Sequence, residues 1–380
     1  MSEDDWSVPE SSVLAATRDL LNSDRRGILA TVVDVEGSAY RRPGAKMLIP
    51  RDGKGVGSIT AGCLEDEVLR LAEEVLKEGH PRIETFDLMG DDDMWGLGVG
   101  CNGIIDLLLE PVDEAYAPLL DAYEQNRATA ALTVLESGAP DVSTWERAYC
   151  YADGSTAGAQ LPDWLQNALR EPATKLATEG KADIVEIDRP EGSARVFVDG
   201  VSPPPTLVIL GSGHDVDPVV EFGAKNDFHT VVVSFRGADA SADRFPRADE
   251  VLSTSPADIC DAVDIDETTY TIVMTHNFID DRLAVGELLD SPTPYVGLMG
   301  PRERFEEMLE EYETEGRTFS ESELDRVYTP VGLNLGGGSP YQIAHSIVAE
   351  VLAVHNDREP CHLTEREGPI HDRVDLSPSS

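Results

Sequence analysis

The C-terminal half of the chain alternates short apolar segments with stretches of helical periodicity. Four of the apolar segments read TLVILG, HTVVVSF, TYTIVMTH and PYVGLMG, and helical stretches such as FIDDRLAVGELLD lie between them. Strands buried on both faces read as continuous apolar runs, and parallel neighbours are joined by helical crossovers. The pattern therefore predicts a parallel, doubly wound sheet with helices on both faces.

Three consecutive prolines, Pro203 to Pro205, interrupt the chain before this pattern begins. Because proline has no amide donor and a fixed φ, such a run fits neither a helix interior nor a central strand. We therefore predict a mixed α/β domain over residues 1–202, a doubly wound domain over 203–357 and a polar, disordered tail over 358–380.

Helix signals are clear at two places. Apolar residues recur at Leu64, Val68, Leu71 and Val75, which is one face of an amphipathic helix. Near the end of the second domain, a serine N-cap and a proline at the first helical position, residues 339–340, predict the start of another helix.

The charge balance is strongly acidic, with 72 acidic against 30 basic residues and a formal net charge of −42. An acidic, lysine-poor surface is typical of proteins that stay soluble at very high salt, so we interpret it as a halophile's adaptation. It argues against nucleic-acid binding, which needs a basic face. No apolar run is long enough for a transmembrane helix, and we expect a cytoplasmic protein without membrane contact.

One basic, glycine-rich segment, residues 37–63, contrasts with this acidic background. It holds five cations against the single acid Asp52, and it ends at Cys63, where a helix is predicted to begin. Cations and a helix N-terminus lower the pKa of a nearby thiol, and glycines let backbone amides approach a ligand. We therefore predict an anion site beside a reactive cysteine or soft metal ligand, Cys63, formed by Arg41, Arg42, Lys46, Gly57, Ser58 and Gly62. The alternative is a packed cysteine with arginines on a solvated face.

A second cysteine, Cys101, lies within the glycine-rich sequence GLGVGCNG, residues 96–103. Its neighbours allow close backbone approach, which makes Cys101 a second catalytic candidate beside Cys63, although such loops are also common as plain turns. The five cysteines form no CxxC pair, which argues against both a disulfide scaffold and a zinc knuckle.

A glycine turn follows the first strand of the second domain. The sequence GSGH after a strand and before a helix is typical of a site that holds phosphate at a helix N-terminus. Valine replaces the third glycine of the usual pattern, and serine with a nearby arginine replaces the acid that binds a ribose. A nucleotide or NAD(P) site would use Gly211, Gly213, His214, Ser234, Arg236, His276 and Gly300. The alternative is a turn with no ligand.

Taken together, seven segments resemble the XdhC/CoxI family of xanthine dehydrogenase accessory proteins. They are GSAYRRPGAKM, GSITAGCLEDEV, GLGVGCNG, LVILGSGHDV, MTHNFIDD, YVGLMGPRERF and GLNLGGGSPYQIAHSIVAEV. The sequence departs from the family at Thr60 and Ala61, which replace a serine and a glycine, and at Pro301, which replaces a serine.

The resemblance implies a cofactor-handling N-terminal domain followed by a Rossmann-like domain. It implies a maturation chaperone rather than a catalyst, one that binds molybdenum cofactor, protects it during sulfuration and inserts it into an apo molybdenum hydroxylase. Implied partners are a cysteine desulfurase and a second copy of the chain. Cys63 would contact the metal, with Cys101 as helper. The alternatives are an NAD(P)-dependent oxidoreductase with His276 as acid/base, and a purely structural dimer.

Overall fold

The computed structural model describes residues 6–23, 25–37, 39–62, 64–88, 103–237, 241–365 and 376. The chain divides into two compact units, one of residues 1–203 with 367–380 and the other of residues 204–366. Among the described residues, no helix is long and apolar enough to cross a membrane.

The first unit contains two antiparallel five-stranded sheets with the same strand order. The elements that build sheet 1 are α1 (Glu10–Leu21), β1 (Gly27–Gly37), β2 (Lys46–Pro50), β3 (Val56–Gly57), α2 (Glu65–Glu78), β4 (Arg82–Asp87) and β5 (Gly103–Pro111). Those that build sheet 2 are α3 (Ala117–Glu124), β6 (Thr129–Ser137), β7 (Arg147–Tyr151), β8 (Thr156–Gly158), α4 (Asp163–Glu179), β9 (Ala182–Arg189) and β10 (Gly192–Val201). Sheet 1 has the order β3-β2-β1-β5-β4, and sheet 2 has the order β8-β7-β6-β10-β9. We call α1–β5 repeat 1 and α3–β10 repeat 2, because each strand of repeat 2 takes the place of its counterpart in repeat 1.

The hydrogen-bond register aligns the two repeats residue by residue. Lys46 begins β2 and pairs with Thr31 of β1, just as Arg147 begins β7 and pairs with Thr133 of β6. The two cations, and the two threonines, are therefore equivalent positions.

Two local irregularities recur at equivalent positions. Register shifts in the β1–β5 and β6–β10 ladders leave out Val33 in repeat 1 and Leu135 in repeat 2. Gly57 and Gly158 both have positive φ, +85° and +81°, and at each an added Cβ would lie within 2.8 Å of the neighbouring strand's carbonyl oxygen. Matching bulges and matching glycines indicate an internal duplication, because such features are not needed by sheets in general.

The two sheets pack face to face with a helix on each outer face. Helix α2 covers sheet 1 and helix α4 covers sheet 2 in separate apolar clusters. The inner faces meet through Val33, Leu108, Leu135, Ala182 and Phe197, and α1 and α3 fill a second part of this interface. Unit 1 is therefore a helix–sheet–sheet–helix sandwich.

Two buried ion pairs join the repeats. Lys46 of repeat 1 binds Asp199 of repeat 2, with 3.0 Å between Nζ and Oδ1. Arg147 of repeat 2 binds Glu110 of repeat 1, with 2.5 Å between Nη2 and Oε1. Glu110 and Asp199 occupy equivalent positions in the two sheets. Each pairs with a residue of the neighbouring strand, and that residue lies two positions before the threonine that pairs with the cation of the same repeat. Reciprocal contacts of this kind are those of a twofold dimer, here made within one chain.

The second unit is a six-stranded parallel sheet with helices on both faces. Its elements are β11 (Thr206–Leu210), α5 (Val216–Lys225), β12 (His229–Ser234), β13 (Glu250–Ser253), α6 (Ile259–Ala262), β14 (Thr269–Val273), α7 (Phe278–Asp290), β15 (Tyr295–Leu298), α8 (Arg302–Thr314), α9 (Glu321–Leu324), β16 (Val327–Tyr328) and α10 (Pro340–His355). The strand order is β13-β12-β11-β14-β15-β16. Helices α6 to α9 pack on one face and α5 and α10 on the other. The predicted doubly wound, Rossmann-like architecture is confirmed.

Both predicted helix starts are also confirmed. Helix α2 buries Val68, Leu71 and Val75 on one face. Helix α10 begins with a capping box at Ser339 and has Pro340 in its first turn.

Candidate functional site

Three connections of repeat 1 leave sheet 1 at the end where β1 stops, which we call the motif end. They are residues 38–45 between β1 and β2, residues 58–64 between β3 and α2, and residues 88–102 between β4 and β5. Antiparallel pairing brings them to this one end, since Gly37 at the end of β1 faces Gly103 at the start of β5.

The five cations of residues 37–63 do not form one pocket, so that part of the sequence interpretation is wrong. Arg51 and Lys54 lie in the turn between β2 and β3, at the opposite end of the sheet. Arg41 and Arg42 lie at the motif end, and neither has a carboxylate within 4.0 Å among the described residues. The hairpin reverses direction after the five residues of β2, which separates cations that are close in sequence.

Lys46 is an internal structural cation. Its Nζ donates to Glu10 Oε1 at 2.5 Å, to the Gly44 carbonyl oxygen at 2.9 Å and to Asp199 Oδ1 at 3.0 Å. Burial acts to lower the pKa of Lys46, but the charges of Asp199 and Glu10 outweigh it and hold the pKa above its ordinary value. Because all three ammonium protons have acceptors, we do not include Lys46 in the proposed ligand site.

The loop before α2 is organised by a single carboxylate. Glu65 accepts hydrogen bonds from the amide nitrogens of Thr60 at 3.3 Å and Leu64 at 3.0 Å, and from the Thr60 hydroxyl at 2.7 Å. Gly62 has φ +105°, and an added Cβ there would meet no atom of the described residues within 4 Å. The backbone at Gly62 is therefore open to a ligand.

Other predicted residues of repeat 1 adjoin this loop. Ser58 is buried and accepts a hydrogen bond from Arg41 Nη1 at 3.4 Å. Gly57 is required by the fold, because an added Cβ would lie 2.7 Å from the Lys46 carbonyl oxygen. Arg41 is half-buried and bonded to Ser58, whereas Arg42 is exposed and has no carboxylate partner among the described residues.

Both candidate cysteines, Cys63 and Cys101, fall outside the described residues, and their predicted roles stay predictions. Cys63 follows Gly62 and directly precedes Leu64, the N-cap of α2. Cys101 belongs to the connection that ends at Gly103, the first residue of β5. The described residues next to each cysteine thus lie at the motif end.

Both connections that contain a candidate cysteine are longer in repeat 1 than their counterparts in repeat 2. The connection that holds Cys63, residues 58–64, corresponds to the shorter connection 159–162 between β8 and α4. The connection that holds Cys101, residues 88–102, corresponds to residues 190–191 between β9 and β10. Repeat 2 forms a sheet of the same strand order with the shorter connections, so this strand order does not require the additional residues. Sequence reasoning missed the duplication, because connections of unequal length leave no fixed period in the sequence.

In the second unit, the crevice lies at the carboxyl ends of β11 and β14, where the strand order reverses. Gly211 has φ +153°, and an added Cβ would lie 2.7 Å from the Met274 carbonyl oxygen. His276 has φ +60°, and its Nε2 lies 2.8 Å from Oδ2 of Asp215. A non-glycine residue in the left-handed region is often found at functional sites. Asp215, which was not among the sequence candidates, places a carboxylate beside Gly213.

The remaining predicted residues of this crevice divide into internal and exposed groups. Ser234 is buried and donates to the Arg236 carbonyl oxygen at 3.0 Å, which stabilises the turn. Arg236 is exposed, with Nη2 at 3.5 Å from Asp280. His214 is exposed, and Gly300 has φ +129° two residues after the end of β15. The structure thus brings Gly213 and His276 together through Asp215, whereas Ser234 stabilises a turn.

Among the described residues, no group of three or more His, Cys, Asp or Glu side chains is arranged to hold a metal ion. Of the described cysteines, Cys150 is buried, and Cys260 and Cys361 are exposed free thiols.

Comparison with known proteins gives consistent matches over both units. The XdhC and CoxI family model matches residues 20–87, and the XdhC Rossmann domain model matches residues 207–351. A protein of Bacillus subtilis (strain 168), described as a probable subunit of xanthine dehydrogenase, is 26% identical over 338 residues, covering 88% of this chain and 94% of that protein.

Two further relatives extend along almost the whole chain. The molybdenum cofactor insertion chaperone PaoD of Escherichia coli (strain K12) is 22% identical over 370 residues, covering 94% of this chain and 96% of that protein. A crystal structure of a xanthine dehydrogenase from Bacillus halodurans is 31% identical with a TM-score of 0.73, covering 91% of this chain and 96% of that one.

Proposed function

The chain belongs to the XdhC and CoxI family, and on that premise we propose that it is a molybdenum cofactor chaperone. It binds the cofactor at the motif end of repeat 1, shields it while the molybdenum gains a sulfido ligand, and delivers it to an apo molybdenum hydroxylase. A partner cysteine desulfurase supplies the sulfur, and the chain acts as a homodimer. The name of the Escherichia coli relative, a cofactor insertion chaperone, supports this role.

One observation carries the proposal: the motif end of repeat 1 differs from its counterpart in repeat 2 by two insertions that each contain a cysteine. An insertion that the scaffold does not need is retained for function. Arg41 and Arg42 lie at the same motif end, and neither has a carboxylate partner among the described residues of this acidic chain. On this proposal, the arginines and the cysteines supply positive charge and sulfur to the same cofactor.

The chemistry of the cargo fits these groups. Molybdenum cofactor carries a phosphate and a dithiolene-bound oxo-metal, so it is anionic and contains a soft metal–sulfur centre. Guanidinium groups bind phosphate through charge-assisted, often bidentate hydrogen bonds, and the exposed Arg42 is open to such a ligand. The backbone around Gly62 supplies further donors. Cys63, in the same loop, is the residue we assign to the metal.

An observation in the second unit bears on the alternative function. The His276–Asp215 pair lies in the crevice, as an acid/base dyad of an NAD(P)-dependent oxidoreductase would. The Asp215 carboxylate, however, lies beside Gly213, in the turn that would receive a pyrophosphate, and its charge opposes that of the phosphates. We therefore assign the second unit to nucleotide binding only as a secondary proposal.

The proposed site predicts different effects for the two pairs of cations. We expect Arg41→Gln with Arg42→Gln to lower cofactor affinity about 100-fold, since each lost charge-assisted contact costs about tenfold or more. The control is Arg51→Gln with Lys54→Gln, which removes the same charge from the opposite end of sheet 1. The measurement is molybdenum per chain by mass spectrometry, after purification from cells that make the cofactor. Equal losses in both double variants would show that general charge, not the motif end, holds the cofactor.

A further inference from the structure

Repeat 2 contains a cavity of about 280 Å³ between sheet 2 and α4. Its floor is formed by Leu132, Ala148, Cys150 and Leu169, and its wall by β8 and the connection that follows it. Its volume is near the lower limit of pockets that bind drug-sized molecules.

The duplication explains why repeat 2 has this cavity. The β2–β3 and β7–β8 registers make Met47 equivalent to Ala148, and Ile49 equivalent to Cys150. In repeat 1, Met47 and Ile49 are buried in the apolar cluster beneath α2. Because the equivalent residues of repeat 2 are smaller, the volume that Met47 and Ile49 fill in repeat 1 stays open in repeat 2, except for the part that Leu132 occupies. A folded core does not keep a void of this size without cost, because unfilled volume forfeits packing contacts.

The lining chemistry is apolar at the floor and polar at the rim. Thr156, Gln160, Gln166 and Arg170 line the pocket beside the apolar residues. The Arg170 side chain has no carboxylate within 4.0 Å in the part of the chain that the structure describes. Asp153, two residues after the end of β7, lies 3.4 Å from Arg127 and is also bonded to Ser155.

The thiol on the floor is a neutral group. Burial raises the pKa of Cys150, and its Sγ donates to the Tyr151 carbonyl oxygen at 3.7 Å. Cys150 therefore presents polarisable, uncharged surface to a ligand rather than a nucleophile. A cation at the rim and a neutral floor together select a molecule with one anionic group and an apolar body.

We propose that repeat 2 binds a small organic monocarboxylate in this cavity, with its apolar body against Leu132, Ala148 and Cys150 and its carboxylate at Arg170. The site is separate from the motif end and does not depend on the cofactor. In a chain of net charge −42, a small anion is repelled from most of the surface. Arg170 combines a cation that has no carboxylate partner among the described residues with an adjoining apolar pocket that holds the body of the ligand.

The test uses benzoate as the probe and benzamide as its uncharged counterpart, with binding followed by saturation-transfer NMR and calorimetry on the full chain. Wild-type protein is expected to bind benzoate saturably. Cys150→Ile and Ala148→Met, which introduce the type of residue found in repeat 1, are expected to abolish binding of both probes. Because these substitutions act in the core, near-ultraviolet circular dichroism checks that each variant is folded.

The rim provides a second test that leaves the core unchanged. Arg170→Gln is expected to weaken benzoate about tenfold and to leave benzamide unchanged, since one charge-assisted contact is lost. Arg189→Gln, an exposed arginine of the same repeat that does not line the pocket, is the matched control. Absence of saturable benzoate binding, or binding that is equal in wild type, Cys150→Ile and Arg170→Gln, overturns the proposal.

Discussion

Replacing Arg147 by methionine is expected to lower the free energy of unfolding of the first unit by about 3–5 kcal/mol. Arg147 Nη2 lies 2.5 and 2.6 Å from the two carboxylate oxygens of Glu110, and the guanidinium lies over the Tyr116 ring at 4.4 Å. Without the arginine, Glu110 remains a buried carboxylate that accepts a hydrogen bond from the Tyr116 hydroxyl but has lost its countercharge. An uncompensated buried charge is among the most costly single changes in a folded protein.

Tryptophan fluorescence during chemical denaturation measures this loss. All four tryptophans precede residue 204, so their signal reports on the first unit alone. The control is Arg127→Met, an exposed arginine that pairs with Asp153 and stacks on Tyr151, which should cost less than about 1 kcal/mol. An Arg147→Met midpoint equal to that of the control would show that the pair is not buried as described.

The duplication extends this prediction to Lys46. Because Lys46 and Asp199 form the reciprocal pair, Lys46→Met should destabilise the first unit by a similar amount. If Lys46 instead bound the cofactor directly, as its sequence position first indicated, the variant would lose molybdenum and keep its stability. The two readouts thus separate a structural role from a ligand role.

Replacing Cys63 by alanine is expected to lower bound molybdenum at least about tenfold without loss of stability. Changes that merely reorient a metal's ligands cost about 10–100-fold in affinity, and removing a contacting sulfur should cost no less. Repeat 2 forms the equivalent sheet with a connection of four residues, 159–162, in place of the one that holds Cys63, so we expect the fold to tolerate loss of this thiol.

The matched control for this variant is Cys260→Ala. Cys260 is an exposed free thiol in the second unit, and its loss should leave the molybdenum content unchanged. Molybdenum per chain and the fluorescence denaturation midpoint are measured on both variants. A Cys63→Ala protein with the wild-type content would remove the cysteine from the site, even if Arg41 and Arg42 remained essential.

The architecture of the second unit could be predicted from the sequence because its strands are buried on both faces. Segments such as β11 and β14 are apolar throughout, and the helices between them have regular apolar spacing, so local pattern and global fold agree. The start of α10 could likewise be predicted, since its capping box depends on residues three apart.

The first unit was harder to predict because its organisation rests on long-range pairing. Connections of unequal length remove any fixed period from the duplication, so no sequence repeat is visible. Lys46 gave no local sign of its partner, because Asp199 is 153 positions away. The five cations of residues 37–63 looked like one cluster, and the hairpin between β2 and β3 divides them. Asp215 was missed because a carboxylate is not part of the glycine-turn pattern.

Hydrogen exchange with and without bound molybdenum cofactor is the most direct test of where the cargo lies. We expect the cofactor to slow amide exchange in residues 38–45 and 58–64 and to leave two internal references unchanged. The references are the opposite turn, residues 51–55, and the equivalent connection of repeat 2, residues 159–162. Protection confined to the crevice around residues 211–215, with no change at the motif end, would contradict the account and favour a cofactor site in the second unit.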